Sequence, residues 1–258
     1  MIDTHAHLTD EKFEGRVDGI IRDFKADGLS KVFTVGTNMQ TSKEAVDLAE
    51  KYDNIFAIIG VHPDDLDTYN EKDLERLAKL SNKVIGIGEI GLDYHYRDDN
   101  KEEQIKVFVS QMELAHRLGL PIIIHSRDAA GKTLEILKEH KHLLTNGGVW
   151  HCFNESLEIF KEVKKIGLIV SLGGVTTFKN AKNSTFLIEN MDLTDFVLET
   201  DCPYLTPEPF RGKVVNEPKY VKYTAQHIAD IKQISLEKLV NATNENVYNL
   251  FKKVSRDE

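Results

Sequence analysis

Cysteine is almost missing from this chain. Only Cys152 and Cys202 occur, with no CxxC spacing, so no disulfide framework is expected and a reducing, cytoplasmic setting is. Long apolar runs are missing too. None approaches the roughly 20 residues that span a bilayer, and the opening MIDTHAHLTD lacks the basic start and apolar stretch of a secretion signal. No membrane partner is therefore expected. Net positive charge is the third absence: the formal charge is −9. A protein that gripped duplex DNA by coating it with Lys and Arg would be basic. A few phosphates held in a pocket stay compatible with this balance, because bound cations can invert the field locally. There is no GxSxG elbow, and neither cysteine has an activating neighbour in sequence, which speaks against a Ser or Cys nucleophile. Proline is sparse as well. Four of the six lie between 203 and 218, marking a loop there.

What is present starts with two histidines one residue apart, His5 and His7. A strand has a period of two, so both imidazoles share a face. Two neutral imidazoles converging on one point suit a divalent metal. The rest of the chain alternates short β-branched runs with longer amphipathic segments. The runs fall near 1–5, 31–36, 55–60, 83–88, 121–125, 147–151, 167–171 and 195–199. Helical patterns such as 41–52, 102–118 and 128–140 separate them, and Thr41 or Ser42 with Glu44 reads as a helix start. Two further helical stretches, near 217–231 and 236–253, follow the last run. The runs are apolar on both faces, as covered parallel strands are. The spacing predicts eight βα units closed into a (β/α)8 TIM barrel, a single domain over 1–258 with an additional C-terminal helix. An open doubly wound sheet is the competing architecture.

Chemistry in such barrels sits at the C-terminal ends of the strands. His5 and His7 close run one, His62 follows run three, and Glu89 ends run four. His125 ends run five, His151 run six, and Glu199 and Asp201 run eight. Four imidazoles with two or three carboxylates exceed the needs of one catalytic ion and suit two. In that reading His5, His7 and Asp201 hold one ion, His125 and His151 hold the other, and Glu89 bridges. Glu89 and Asp201 are then catalytic, with Asp201 able to accept the proton of an activated water. One or two divalent ions are expected, with Zn, Mn, Mg, Fe and Ni all compatible. The segment Gly86-Ile87-Gly88-Glu89-Ile90-Gly91 matches a dinucleotide fingerprint, but a polar stretch, LDYHYRDDN, follows it where a helix should open. Its glycines instead suit close strand packing around Glu89. Arg127 beside His125, and Arg211 and Lys213 around Gly212, favour a phosphate-bearing substrate.

Taken in order, HxH, VHP at 61–63, GEIGLDY at 88–94, HSR at 125–127, HCF at 151–153, SLGG at 171–174, ETDCPYL at 199–205 and RGK…NEP at 211–218 resemble the TatD family of metal-dependent deoxyribonucleases. The resemblance spans essentially the whole chain. It implies an amidohydrolase-type barrel and metal-dependent hydrolysis of DNA phosphodiesters, with exonuclease action on single strands or ends. By the same resemblance, His5, His7, Glu89, His125, His151 and Asp201 carry metal. His62 and the loop bearing Arg211, Lys213, Asn216 and Glu217 contact substrate phosphate. One departure stands out. The family loop has a single basic residue between RGK and NEP, whereas here Val214-Val215 fills that place. Another binuclear hydrolase of the amidohydrolase superfamily, acting on an amide, an ester or a D-aminoacyl-tRNA, is the alternative, and a non-catalytic metal-binding scaffold is a third. Many binuclear relatives bridge their metals with a carboxylated lysine on strand four. Here that place holds Glu89, and Lys83 stands at the start of the run. No obligate protein partner is expected.

Overall fold

A computed structural model describes residues 1–96 and 99–256. Eight parallel strands form one sheet in sequential order. They are β1 (Ile2–Ala6), β2 (Lys31–Val35), β3 (Ile55–Ile59), β4 (Val84–Asp93), β5 (Ile122–Arg127), β6 (Gly148–Trp150), β7 (Ile169–Leu172) and β8 (Phe196–Leu198). Between them run α1 (Val17–Asp27), α2 (Met39–Lys51), α3 (Glu71–Leu80), α4 (Lys101–Leu118), α5 (Ala130–Glu139), α6 (Leu157–Lys165) and α7 (Lys182–Glu189). Two helices, α8 (Val221–Lys232) and α9 (Leu236–Leu250), follow the last strand. The sheet closes where its first and last strands meet. The Asp201 N–H donates to the His5 carbonyl at 2.9 Å, the His7 N–H to the Cys202 carbonyl at 2.7 Å, and the Thr4 hydroxyl to the Leu198 carbonyl at 2.9 Å. This is the TIM barrel, with one helix beyond the eighth unit, that the spacing predicts. Among the described residues no helix is long and apolar enough to cross a membrane.

The core has two parts. The larger lies between the barrel wall and the helices, around Phe108, Trp150, Phe160 and Phe196. The smaller fills the barrel floor with Ile2, Phe33, Phe56, Ile123, Val149 and Val197, and Val247 and Phe251 close it from the α9 end. Strand alternation connects the floor to the mouth. Two residues beyond Ile123, Val149 and Val197 stand His125, His151 and Glu199. Each of these strands therefore sends an apolar side chain into the floor and a metal-competent one into the mouth above it. Strict alternation from Ile2 would turn His5 and His7 outward. A register irregularity between Asp3 and Ala6 changes the parity of β1 and faces both rings into the mouth.

Two local expectations are corrected. The α2 helix begins at Asn38, not at Thr41 or Ser42. The Asn38 side chain accepts the Thr41 N–H at 2.9 Å, and the Asn38 N–H donates to Thr41 Oγ1 at 3.1 Å. Threonine thus takes the role expected of Glu44, while the buried Ser42 hydroxyl donates to the Gly60 carbonyl at 3.0 Å. The second correction concerns β4, which runs on through Glu89 to Asp93. The Leu92-Asp93 of the expected loop is strand, and the loop starts at Tyr94; Arg97 and Asp98 of that stretch lie outside the described residues. Glu89 is thus a mid-strand residue.

Glycine explains how β4 fits between its neighbours. A Cβ on Gly88 would come within 2.7 Å of the Ile123 Cβ. One on Gly91, whose φ is +149°, would lie 1.9 Å from the His125 carbonyl oxygen. That contact is backbone and cannot swing aside. Gly91→Ala is expected to lose about 4 kcal/mol or more of stability, at the extreme of single substitutions. Gly131, in the first turn of α5 with open space around it, provides the control. Its replacement by alanine is expected to add about 0.4–1 kcal/mol. Urea denaturation of both variants checks the pair.

Candidate metal centre

The structure brings His5, His7, Glu89, His125, His151 and Asp201 together in the barrel mouth. Glu89 is buried at their centre, and its two oxygens face different partners. Oε1 lies 2.6 Å from His125 Nδ1 and 2.7 Å from His151 Nε2. Oε2 lies 3.3 Å from His5 Nε2 and 3.7 Å from His7 Nε2. Asp201 Oδ1 completes the second set, 3.3 Å from His7 Nε2 and 3.7 Å from His5 Nε2. Two donor groups result, His5–His7–Asp201 and Glu89–His125–His151, each able to hold an ion.

Ring tautomers fit this use. His7 Nδ1 is 3.1 Å from the Val35 carbonyl, which only accepts, so the neutral ring presents its Nε2 lone pair inward. His125 Nε2 is 3.1 Å from Asp93 Oδ2, which leaves its Nδ1 lone pair facing Glu89. Within each group two imidazole nitrogens stand only 3.3 Å apart. Two lone pairs at that separation repel unless a cation lies between them. The donor chemistry thus fits a divalent metal.

Without metal, protons serve as the cations. Burial opposes charge on His7, but the hydrogen bond it donates to Asp201 and the charges of Asp201 and Glu89 outweigh it and lift the ring to about 9. Burial likewise opposes His125, and Asp93 and Glu89 raise it to about 9. Burial and the neighbouring His151 push His5 down to about 4. Burial opposes ionisation of Glu89 and Asp201 as well, yet the surrounding imidazoles hold both carboxyls below their usual range.

The backbone bends sharply just past these strands. Asp128, Cys152 and Asp201 have φ of 53°, 47° and 56°. Non-glycine residues in this region cost of order 1–3 kcal/mol and gather at functional sites. Burial holds the thiols of Cys152 and Cys202 well above their usual range, which disfavours the thiolate that a nucleophile requires.

The sequence pattern of the TatD related DNases matches residues 2–252. The chain belongs to the TatD family. YabD of Bacillus subtilis, named an uncharacterized metal-dependent hydrolase, is 42% identical over 254 residues, covering 98% of this chain and 99% of that one. YcfH of Escherichia coli, named likewise, is 34% identical over 255 residues, with coverages of 97% and 95%. The crystal structure of the TatD homologue YJJV from Escherichia coli superimposes with a TM-score of 0.92 at 28% identity, covering 98% of each chain. This TatD protein is a metal-dependent hydrolase on a TIM barrel.

Two further acids border the TatD centre, of which Asp93 escapes the sequence reading and Glu199 is placed by it at the end of run eight. Asp93 is 1% exposed and takes His125 Nε2. It lies at period two from Glu89, a signal that appears once β4 is read as continuing past Gly91. Glu199, fully buried, accepts the Cys152 N–H at 2.7 Å and the Ser171 hydroxyl, and stands 3.9 Å from His151 Nδ1. Asp93→Asn keeps the shape but weakens the acceptor for His125, so metal affinity is expected to fall about 10–100-fold. Titration of the metal-free variant with zinc checks this.

The residues expected to meet substrate divide. His62 stands in the mouth with Nε2 3.9 Å from Glu89 Oε1. Its Nδ1 accepts the Asp64 N–H at 3.1 Å, which places the ring proton on Nε2. Arg127 is exposed at the end of β5, and Arg211 and Lys213 are exposed on the loop after β8, where Lys213 Nζ folds back onto the Pro209 carbonyl at 2.9 Å. Asn216 and Glu217 are spent within the protein. The fully buried Asn216 amide donates to the carbonyls of Thr200, at 2.9 Å, and Tyr204. Glu217 takes Arg16 and Lys219. Asn216 ties the long loop to the turn that carries Asp201, and Glu217 ties it to Arg16 in the segment after β1.

Proposed function

We propose that this TatD protein hydrolyses DNA phosphodiester bonds, releasing nucleotides from single strands or strand ends. One observation carries the reading: Glu89 directs one oxygen at His125 and His151 and the other at His5 and His7. That division supports a pair of divalent ions, one held by His5, His7 and Asp201, the other by His125 and His151, with Glu89 shared. Bound there, the ions supply Lewis acidity, acidifying a water and drawing charge from a phosphoryl oxygen. The protein's own groups do the rest. Asp201, kept ionised by its imidazoles, accepts the proton released by the water. His62 is kept neutral, since burial and the adjacent His125 hold it down to about 3. It offers Nε2–H to a phosphoryl oxygen without adding charge. Arg127, Arg211 and Lys213 supply cations for neighbouring phosphates.

The test uses purified protein stripped by a chelator and reloaded with manganese, magnesium or zinc, then given end-labelled oligonucleotides. Metal-dependent release of nucleotides is the expected result. Hydrolysis of an amide, lactone or D-aminoacyl ester, with no release from any oligonucleotide, overturns the reading.

Metal binding must displace the protons on His7 and His125. Both groups are raised to about 9, so they are protonated below that pH and compete with metal there. Affinity is expected to climb as pH rises from 6 toward 9, by up to about tenfold per unit for each proton displaced, and then level off. Calorimetry in buffers of different ionisation enthalpy reads the proton release directly. Affinity independent of pH over this range overturns the ligand assignment.

A further inference from the structure

The mouth loops expose apolar side chains. Among the described residues the most exposed large apolar side chains are Leu80, Tyr96, Phe186, Tyr204, Val214 and Val215. Four of these six stand on loops that follow β4 and β8. Besides Lys101 over Tyr94, the same end of the barrel carries three more cations laid on aromatic rings. Lys12 Nζ lies 4.4 Å from the centroid of Tyr204, the Arg127 guanidinium 4.8 Å from that of Tyr96, and the Arg211 guanidinium 3.7 Å from that of Phe178. Of the cations that lie over rings elsewhere, Lys51, Lys219, Lys222 and Arg256 are also tied to acids, namely Asp18, Glu217, Asp27 and Glu245, whereas Lys83 over Phe56 donates to the Asp53 carbonyl. Lys12, Arg127 and Arg211 hold no carboxylate among the described residues. In a chain of net charge −9, three unneutralised and immobilised cations at one end leave room for an anion there.

We propose that these three cation–aromatic pairs are stacking subsites for the unpaired nucleotides that flank the bond being cut. The inference rests on the nuclease reading and gives it a mode of substrate binding. Their placement supports it. The Tyr204 ring is 6.2 Å from that of His7, at the edge of the metal centre. Arg127 lies two residues beyond His125 on β5. In the order of strands around the barrel, Tyr96 and Arg127 stand over β4 and β5. The other two pairs stand over β7, β8 and β1, on the far side. A strand laid from one side to the other crosses Glu89 and its ligands.

Each pair matches one nucleotide chemically. The guanidinium edge, or the ammonium, takes a phosphate, while its outer plane or the ring takes the face of a base. Val214 and Val215 add apolar surface in place of a charge. A duplex hides the faces of its bases in its own stack, so only unpaired nucleotides can use such platforms.

The test compares three substrates under metal-loaded conditions: a single-stranded oligonucleotide, the same strand with abasic sites beside the cleaved bond, and the small diester bis(p-nitrophenyl) phosphate. The wild type is expected to show a KM about fivefold to a hundredfold higher for the abasic strand. Tyr96→Leu and Phe178→Leu, which keep apolar bulk and lose the π face, are expected to raise KM for the full strand at least fivefold more than for the small diester. The comparison on the wild type needs no variant to fold. Equal KM for full and abasic strands, or equal penalties on oligonucleotide and small diester, overturns the subsites and leaves the nuclease standing. A protein that cleaves no oligonucleotide overturns both.

Discussion

Glu89→Gln should leave the protein folded and almost inert, with activity reduced at least about 10³-fold. Glutamine preserves the volume of the side chain in a site that is 3% exposed. It cannot present two anionic oxygens. One end becomes an NH₂ donor, aimed either at His125 and His151 or at His5 and His7, where lone pairs are required. One donor group therefore loses its shared ligand outright, and the other keeps only a neutral oxygen. Bound metal, measured on the purified variant, is expected to fall to one ion per chain or fewer. A Glu89→Gln protein that keeps the full metal complement of the wild type overturns the bridging role.

Asp201→Asn separates proton transfer from metal holding. Its Oδ1 lies within 3.7 Å of both His5 and His7, so an amide oxygen in the same place still offers a weak ligand. It no longer accepts a proton near neutral pH. Loss of a positioned general base typically costs about 10²–10⁴-fold, and that fall in kcat is expected. The group Glu89–His125–His151 does not include Asp201 and should keep its ion. Elemental analysis alongside single-turnover kinetics distinguishes the two variants: Glu89→Gln loses metal and rate together, Asp201→Asn mainly rate. Restoration of Asp201→Asn activity by raising the metal concentration alone overturns its part in moving the proton.

The barrel and the cluster of metal-competent residues were readable because both rest on short-range periodicity. His5 and His7 stand one residue apart, and the remaining ligands punctuate the ends of apolar runs. What escaped depends on distant partners. The extension of β4 turns on Gly91 letting His125 approach, a contact between residues 34 positions apart that no local pattern encodes. Reading LDY as loop hid Asp93 with it. The Asn38 start of α2 was missed for a smaller reason: threonine can return the reciprocal bond usually sought from Glu. The inward aim of His5 and His7 follows from period two only in part, since the irregularity in β1 decides which face they share. Asn216 illustrates the converse. Its place in RGK…NEP suggested substrate contact, yet its amide is consumed by two carbonyls of the Asp201 turn, and side-chain destinations of that kind are set by the folded loop.

The seam between β1 and the end of β8 has a consequence for how activity arises during synthesis. His5 is made almost first and Asp201 some 200 residues later, and the hydrogen bond between their backbones is also what closes the barrel. Joining residues so far apart in sequence is slow and comes late. A nascent chain therefore carries His5 and His7 from the outset but lacks the assembled centre until the final strand docks. Hydrolytic power and completed folding arrive in the same event, so partly made chains lack the centre that hydrolysis requires.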